Sequence, residues 1–251
     1  MNSSVQTAPL LEVRNLSKHF GAVRALNDFS MVVRPGEVVA LAGDNGAGKT
    51  TLIKAISGVY QPTGGEILLR GQPVSFATPQ EAREKGIETI YQDLALADNL
   101  SIGANIFLGR EPMRKAFGFL PVLDRKAMAR AAKETMSRLD FHVSRLEAPV
   151  SNFSGGQRQA VAIGRAVYWD AQILIMDEPT AALGVPEQRK VISLIHQLKA
   201  QGRGVIFISH NLQDIFAVSD RIVVLRRGVQ AGERKISETN HDEVVKLMVG
   251  G

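Results

Sequence analysis

The chain has 251 residues, of which 45% are hydrophobic and 22% charged, so it can bury a substantial core, and disordered, collagen-like and small disulfide-linked proteins are excluded. It contains no cysteine, which excludes disulfides, thiolate metal sites and thiol nucleophiles and fits a reducing compartment. With 30 basic and 25 acidic residues the formal net charge is +5, which favours anionic partners such as nucleotides, lipid headgroups or nucleic acid.

Basic residues are scattered along the chain in ones and twos, and only one tryptophan and three tyrosines are available to stack on bases. Nucleic acid is therefore not expected as the main partner. The apolar runs are far shorter than the roughly 20 residues that cross a bilayer, so no transmembrane helix is expected. Residues 1–7 lack the basic-then-apolar pattern of an export signal, which predicts a cytosolic location.

The predicted elements begin with a small antiparallel β layer. Residues 11–16 alternate between apolar and polar types, as half-buried strands do, and residues 25–33 and 66–69 have a similar pattern. A proline–glycine turn at 35–36 is followed by a continuous apolar run at 38–42. Such a run is typical of a strand buried on both faces of a parallel sheet.

Further along the chain, strand and helix alternate. A helix is predicted at 51–57, and buried-strand runs recur at 172–177 and 204–209, each after a helical stretch. This alternation predicts an α/β fold with a mostly parallel sheet. Helical periodicity at 124–139, without a buried-strand run nearby, predicts a mainly helical insertion over approximately 93–166. No internal repeat is visible, which argues against solenoids and propellers.

Residues 43–50 match the phosphate-loop pattern G-x-x-x-x-G-K-[ST], between a predicted buried strand and a predicted helix. Glycines let successive backbone N–H groups face one concavity, and the following helix N-terminus adds partial positive charge, so the loop is expected to bind phosphate. Lys49 is expected to reach the β- and γ-phosphates, and the Thr50 hydroxyl to complete the coordination of Mg²⁺. The expected nucleotide-binding residues of this segment are Gly43, Asn45, Gly46, Ala47, Gly48, Lys49, Thr50 and Thr51.

Two adjacent carboxylates, Asp177 and Glu178, end the second buried-strand run, at the edge where ligands bind in open parallel sheets. Neighbouring strand residues point to opposite faces, so the two acids are expected to serve different atoms. Asp177 is expected to hold the metal, directly or through water, and Glu178 to polarise the water that attacks the γ-phosphate. Alone, the pair would equally suit two solvated acids before the turn at Pro179, but a phosphate loop requires a partner acid for its metal.

Between the phosphate loop and the acidic strand stands Ser154-Gly155-Gly156-Gln157. Ser154 is a good helix N-cap, the glycines permit close approach, and residues 158–166 indicate a helix aimed at an anion. With this tetrapeptide the chain resembles the nucleotide-binding subunits of ABC transporters, with the motifs in that family's order over almost the whole chain. The resemblance implies one nucleotide-binding domain over 1–251, a P-loop NTPase with a RecA-like, mostly parallel sheet, an N-terminal antiparallel β layer and a helical signature subdomain.

The resemblance also implies roles for individual residues. In that family the tip at 154–157 contacts the γ-phosphate held by the opposite subunit, so two chains enclose two ATP molecules with Mg²⁺, and a lone chain is expected to be a poor ATPase. By the same match Phe20 would stack on adenine, Gln92 would sense Mg²⁺ and the membrane partner, and His210 would contact the γ-phosphate. Each has a plainer alternative: Phe20 as core, Gln92 as a surface amide, and His210 as a residue near a helix N-cap.

These matches give two sets of candidate residues. The catalytic candidates are Lys49, Gln92, Glu178 and His210. The metal-binding candidates are Thr50, Gln92 and Asp177.

One position departs from the family pattern. Where the family usually has an aspartate that helps to link the two sites, this chain has Gly184, which cannot supply a carboxylate. The sequence around Gly184 looks like the version found in some bacterial monosaccharide importers, and so do the segments 43–45, 87–92, 107–111 and 209–211. Gly184 is therefore interpreted as a subfamily variant and not as the mark of an inactive enzyme.

The resemblance implies an ATPase that energises the import of a monosaccharide. Its expected partners are a second copy of the chain, an integral membrane permease and, indirectly, a periplasmic sugar-binding protein. Its expected location is peripheral, on the cytoplasmic face of the inner membrane. An ABC-type ATPase clamp or regulator that is not coupled to transport is the alternative. P-loop kinases and GTPases are disfavoured, because the sequence has no Asn-Lys-x-Asp guanine-recognition motif.

Overall fold

The computed structural model describes residues 8–117, 119–141 and 145–250. The segment 1–7, on which the cytosolic prediction depends, lies outside the described residues. In chain order the strands are β1 (Leu11–Phe20), β2 (Val23–Val33), β3 (Val38–Ala42), β4 (Gly64–Leu69), β5 (Gln72–Val74), β6 (Ile87–Ile90), β7 (Met113–Ala116), β8 (Leu120–Leu123), β9 (Ile173–Asp177), β10 (Gly204–Ile208), β11 (Arg221–Arg226) and β12 (Val229–Lys235). The α-helices are α1 (Lys49–Ile56), α2 (Pro79–Glu84), α3 (Ile102–Phe107), α4 (Arg125–Arg138), α5 (Gly155–Tyr168), α6 (Val185–Ala200), α7 (Leu212–Val218) and α8 (His241–Val249).

The central sheet has six strands in the order β12-β11-β3-β10-β9-β6. Five of them run parallel, and β12 is antiparallel to β11 at one edge. Strand β10 lies between β3, which leads into the phosphate loop, and β9, which leads into the two acids. The predicted α/β fold with a RecA-like, mostly parallel sheet is confirmed.

A second sheet of four antiparallel strands, in the order β2-β1-β4-β5, confirms the predicted N-terminal layer. Strands β1 and β2 are longer than the alternating patterns that predicted them, and β5 adds an edge strand. None of the described helices is long and apolar enough to cross a bilayer.

Two hydrophobic cores lie on opposite faces of the central sheet. All five residues of β3 are buried, and their side chains alternate between the cores: Val39 and Leu41 pack with the antiparallel layer and α1, whereas Val38 and Ala40 pack with α3 to α8. Burial on both faces explains why β3 reads as an unbroken apolar run.

The helices of the insertion are α3, α4 and α5, and α4 confirms the helix predicted at 124–139. A β-hairpin, β7 paired with β8, lies between α3 and α4 and departs from the mainly helical prediction. Most hairpin residues are exposed on both faces, so no alternation of buried and exposed positions marks its strands in the sequence. The insertion as a separate unit over 93–166 stays a prediction.

Arg221, the first residue of β11, joins the two large sheets. Its side chain is 8% exposed, and its guanidinium lies 2.7 Å from Glu37 and 2.8 Å from Glu233. It also donates a hydrogen bond to the backbone carbonyl of Val32 in β2. This buried network holds the antiparallel layer against the central sheet.

Replacing Arg221 with alanine is expected to lower the free energy of unfolding by about 3 kcal/mol, because the Glu37 carboxylate would stay buried without its partner. The matched control is Arg14→Ala, which also removes contacts to two carboxylates, Glu12 and Glu66, but from a side chain that is 47% exposed. Exposed ion pairs contribute little to stability, so the control should unfold almost like the parent. Urea unfolding measures both losses, and equal losses would contradict the role given to Arg221.

Candidate functional site

The phosphate loop connects β3 to α1 and is packed tightly against neighbouring backbone. Gly43 has φ +150°, and a Cβ placed there would lie 2.3 Å from the carbonyl oxygen of Leu225 in β11. Gly48 has φ +109°, and its Cβ would lie 2.7 Å from the carbonyl oxygen of Ala25 in β2. Both positions therefore exclude every residue except glycine, since the obstructing atoms are backbone.

The N-terminus of α1 closes the loop. Its N-cap is Gly48, which makes no side-chain capping bond, and no acidic residue stands in the first turn. The first N–H groups of a helix have no intrahelical partner, so those of Lys49, Thr50 and Thr51 are available to an anion. This is the amide concavity that the motif predicts.

The Lys49 ammonium lies inside this concavity. Its Nζ donates hydrogen bonds to the carbonyl oxygens of Gly43, at 2.5 Å, and Asp44, at 3.0 Å. Burial lowers the pKa of Lys49, and the nearby carboxylates of Glu178, Asp177 and Asp44 oppose that shift. The half-buried Lys49 ammonium thus lies among carboxylates and free amides.

The two acids face Lys49 across a cleft of about 970 Å³. Asp177 is the last residue of β9, and burial, followed by repulsion from Glu178, raises the pKa of Asp177 while Lys49 opposes the shift. Glu178 has φ +52°, and its N–H donates to the Ile208 carbonyl at 2.9 Å. Glu178 is not in strand conformation, so the alternation of side-chain direction along β9 ends at Asp177. The expectation that the acids point to opposite faces is therefore wrong, since both line the same cleft.

His210 follows the adjacent strand β10 and meets Glu178. Its Nδ1 lies 2.8 Å from Glu178 Oε2, and its side chain is 80% exposed. Behind this pair, the Thr180 hydroxyl donates to the Asp214 carboxylate at 2.7 Å, with both side chains buried. This bond fixes the loop after Glu178 to α7, which begins just after His210.

The structure brings most of the predicted site residues together. Gln92, which follows β6, lies in the cleft lining and is exposed, so its role as a sensor of Mg²⁺ stays a prediction. The predicted residues that line the cleft are Gly43, Asn45, Gly46, Ala47, Gly48, Lys49, Thr50, Thr51, Gln92, Asp177, Glu178 and His210.

Phe20 does not belong to this lining. Its side chain is 44% exposed and packs edge-on against Tyr60 at a centroid distance of 5.2 Å, with the Lys18 ammonium 5.1 Å from the ring. The plain-core alternative for Phe20 is therefore wrong, and its stacking on adenine stays a prediction.

The tetrapeptide at 154–157 also lies outside the cleft lining of its own chain. Ser154 is the N-cap of α5, as predicted: its hydroxyl accepts a hydrogen bond from the Gln157 N–H, and the Gln157 side chain accepts one from the Ser154 N–H. A Cβ at Gly156 would lie 2.8 Å from Glu187, so the start of α5 packs closely on the start of α6. Gly184 is the N-cap of α6 and provides no side-chain cap.

Several residues of the cleft were not predicted from the sequence. Arg24 in β2 and Arg227, in the turn between β11 and β12, bring two further cations to its lining. No motif marks them, because they reach the cleft only through the pairing of distant strands. The one local signal is the Arg227-Gly228 turn, where both residues have positive φ, as tight hairpins require.

The donors in the cleft fit a magnesium ion that arrives with a nucleotide. No cluster of three or more metal-ligating acidic or imidazole side chains occurs among the described residues. The cleft offers the Thr50 hydroxyl, the Asp177 carboxylate and the Gln92 amide beside the phosphate loop. Mg²⁺ is usually held in this way, by one or two protein oxygens together with water and substrate phosphates.

Comparisons with known proteins agree with this geometry. A family model described as ABC transporter matches residues 26–181. The xylose/arabinose import ATP-binding protein XylG of Sulfolobus acidocaldarius is 50% identical over 239 residues, covering 95% of this chain and 93% of that protein. The ribose import ATP-binding protein RbsA 1 of Rubrobacter xylanophilus is 46% identical over 242 residues, covering 96% of this chain and 47% of that protein. The chain thus spans nearly all of the first relative and about half of the second.

Solved structures give the same result. An ATP-binding cassette of an ABC transporter in its ADP conformation has a TM-score of 0.83 at 25% identity, covering 98% of this chain and 100% of that one. A dimeric, post-hydrolysis ATP-binding cassette with ADP and Pi has a TM-score of 0.74 at 24% identity, covering 90% of this chain and 98% of that one. The second likeness concerns the fold alone.

The raised pKa of Asp177 predicts a gain in stability when its charge is removed. A folded pKa above the unfolded value means that ionisation destabilises the fold, at full strength above the folded pKa and not at all below the unfolded one. Asp177→Asn is therefore expected to raise the Tm of the nucleotide-free protein at neutral pH, with a gain that shrinks as the pH falls.

Thermal melts across a pH series measure this gain, and Asp93→Asn, at an exposed position outside the cleft, is the control. A gain that is independent of pH, or shared by the control, would contradict the assignment.

Proposed function

Because the chain belongs to the ABC transporter family, we propose that it is the ATP-hydrolysing nucleotide-binding subunit that energises the import of a monosaccharide through a membrane permease. The observation that carries the ATPase part is the convergence of Lys49, Asp177 and Glu178 in one cleft beside the phosphate loop. The import part is supported by the two relatives named as xylose/arabinose and ribose import ATP-binding proteins. Because these relatives name different sugars, the proposed cargo is monosaccharide as a class.

In the proposed reaction the loop amides and Lys49 hold the β- and γ-phosphates of ATP. Thr50, Asp177 and Gln92 would hold Mg²⁺, which would neutralise charge on the phosphate oxygens. Glu178 orients the attacking water and accepts its proton.

His210 supports this step from the neighbouring strand. Its contact with Glu178 fixes the carboxylate toward the cleft, and its exposed ring is free to meet the γ-phosphate. The buried Thr180–Asp214 bond keeps the two loops in register. The proton acceptor is thus held before the nucleotide arrives.

The proposal includes a homodimer. The tip at Ser154 lies outside the cleft of its own chain, so a second copy must supply this tip if it is to contact the γ-phosphate. ATP would then lie between two copies, and the phosphate cradle would be completed only in the dimer. The proposed location is peripheral, on the cytoplasmic face of the inner membrane, against the permease that a periplasmic sugar-binding protein serves. A clamp or regulator without transport is not favoured by the relatives.

The transport part is tested by purifying the chain from its native membranes. We expect the chain to be recovered together with an integral membrane protein. We also expect its ATP hydrolysis to rise when a sugar-loaded binding protein is added. Recovery with ribosomes or nucleic acid instead would reject transport.

Glu178→Gln is expected to bind ATP as the parent does but to hydrolyse it at least about 100-fold more slowly, because the water loses its proton acceptor. With ATP and Mg²⁺ this variant should accumulate as a dimer on size-exclusion chromatography. Glu134→Gln, at an exposed position of α4, is the control. Hydrolysis by Glu178→Gln at the parent rate would show that another group is the base.

Lys49→Ala is expected to weaken ATP binding at least about tenfold, since one charge-assisted hydrogen bond contributes roughly 1.5–3 kcal/mol. Lys54→Ala is the matched control, because Lys54 stands on the same helix but lies against Tyr60, outside the cleft lining. Titration calorimetry gives both affinities. Equal affinities would count against the phosphate-loop assignment.

A further inference from the structure

The hairpin of β7 and β8 is exposed over most of its length. It forms a sheet of two strands and pairs with no other strand of the described structure. One backbone hydrogen bond, from the Asp124 N–H to the Pro112 carbonyl at 2.8 Å, closes its base. A two-stranded hairpin is at best marginally stable alone in water, so a surface outside the chain is expected to complete it.

The tip of the hairpin exposes two phenylalanines. Phe117 is 89% exposed and Phe119 is 79% exposed. Phe117 also has φ +49°, a left-handed conformation that bulky residues rarely adopt. Leu120 is also exposed, on the hairpin face that carries Arg114, whereas Met113 and Leu123 are exposed on the opposite face. Exposed apolar residues gathered around one tip in this way mark an interaction surface.

Beside the tip, the hairpin and the first turns of α4 form a groove of about 970 Å³. Its carboxylate, Asp124, is already engaged as the N-cap of α4, where it accepts a hydrogen bond from the Ala127 N–H at 3.0 Å. Four cations line the groove, and none has an ion-pair partner among the described residues: Arg114, Arg125, Lys126 and Arg130. The groove therefore presents uncompensated positive charge next to an apolar tip.

This region carries most of the excess charge of the protein. Residues 110–130 include six basic and two acidic residues, a net charge of +4, whereas the whole chain has +5. The hairpin and the start of α4 thus form a locally basic region, which attracts anionic surfaces.

We propose that the hairpin docks on a bilayer surface that contains anionic phospholipid. Phe117 and Phe119 enter the boundary between headgroups and acyl chains, and the groove cations contact lipid phosphates. Apolar burial combined with electrostatic attraction is what holds peripheral segments on anionic membranes. Lipid fits better than nucleic acid, because Leu120, next to the tip, exposes an aliphatic side chain that base stacking does not use. This contact is additional to the proposed ATPase and requires no permease.

The test is co-sedimentation of the full chain with protein-free vesicles. Binding is expected to vesicles that contain phosphatidylglycerol and to be much weaker with phosphatidylcholine alone. Arg125→Gln/Lys126→Gln should weaken binding roughly 30-fold, at about 1 kcal/mol for each cation near an anionic surface. Phe117→Ser/Phe119→Ser should weaken it at least about tenfold through lost apolar burial.

A matched control separates this surface from general electrostatics. Arg189→Gln/Lys190→Gln removes an adjacent arginine and lysine from exposed positions of another helix, α6, and should bind vesicles as the parent does. Equal weakening by both charge variants, or none in the phenylalanine variant, would overturn the proposal. Inorganic phosphate and a single-stranded oligonucleotide serve as further probes. If the chain binds either of them but does not bind vesicles, the proposal is also overturned.

Site-specific labels report which end of α4 meets the membrane. Because the chain has no cysteine, Ala116→Cys and Ser137→Cys each accept one polarity-sensitive dye. Ser137 stands about 18 Å along the helix from Arg125, at 1.5 Å per residue. Anionic vesicles should shift the emission of the label at position 116 to shorter wavelength and leave the emission of the label at position 137 unchanged. A shift at position 137 without one at position 116 would overturn the proposal.

ATP binding by the same variants keeps the two proposals apart. The hairpin and the nucleotide cleft share no lining residue, so all three double variants should bind ATP as the parent does. A parent chain that hydrolyses ATP but ignores anionic vesicles overturns only the membrane contact. One that binds vesicles but not ATP overturns only the proposed ATPase.

Discussion

The contact between the phosphate loop and the backbone of two neighbouring strands is the constraint on which the rest of the site depends. Carbonyl oxygens of β2 and β11 stand where side chains would be at Gly48 and Gly43. The Gly228 N–H in the β11–β12 turn also donates to the Ala47 carbonyl at 2.9 Å. The loop is thus shaped from outside by both sheets, and the buried Arg221 network keeps those sheets in place. The amide concavity exists before any anion enters it.

Much of this architecture could be predicted because its signals are local. The run at Val38–Ala42 is apolar throughout since both faces are buried, and the adjacent loop has a spacing that few other structures share. The acids at the end of β9 were located correctly, but their orientation was not, because Glu178 adopts a left-handed conformation that strand alternation does not describe. The N-cap role of Ser154 was likewise evident from residue type alone.

What escaped prediction depends on contacts between distant segments. Arg24 and Arg227 reach the cleft through strand pairing, and nothing in their immediate sequence indicates it. The hairpin at Met113–Ala116 and Leu120–Leu123 escaped for the opposite reason, since it buries neither face and so leaves no periodicity. The roles of Phe20 and of the tip at Ser154 require a ligand and a second chain, and they stay predictions.

The division of the interior into two cores has a mechanical consequence. Helix α1 and the phosphate loop are anchored in the core beneath the antiparallel layer, whereas α3 to α6 are anchored in the other, and the central sheet separates them. A tilt of α3 to α6 would therefore strain packing contacts on one side of the central sheet only. The phosphate loop and α5 are thus supported by separate sets of packing contacts, so a displacement of α5 need not disturb the loop.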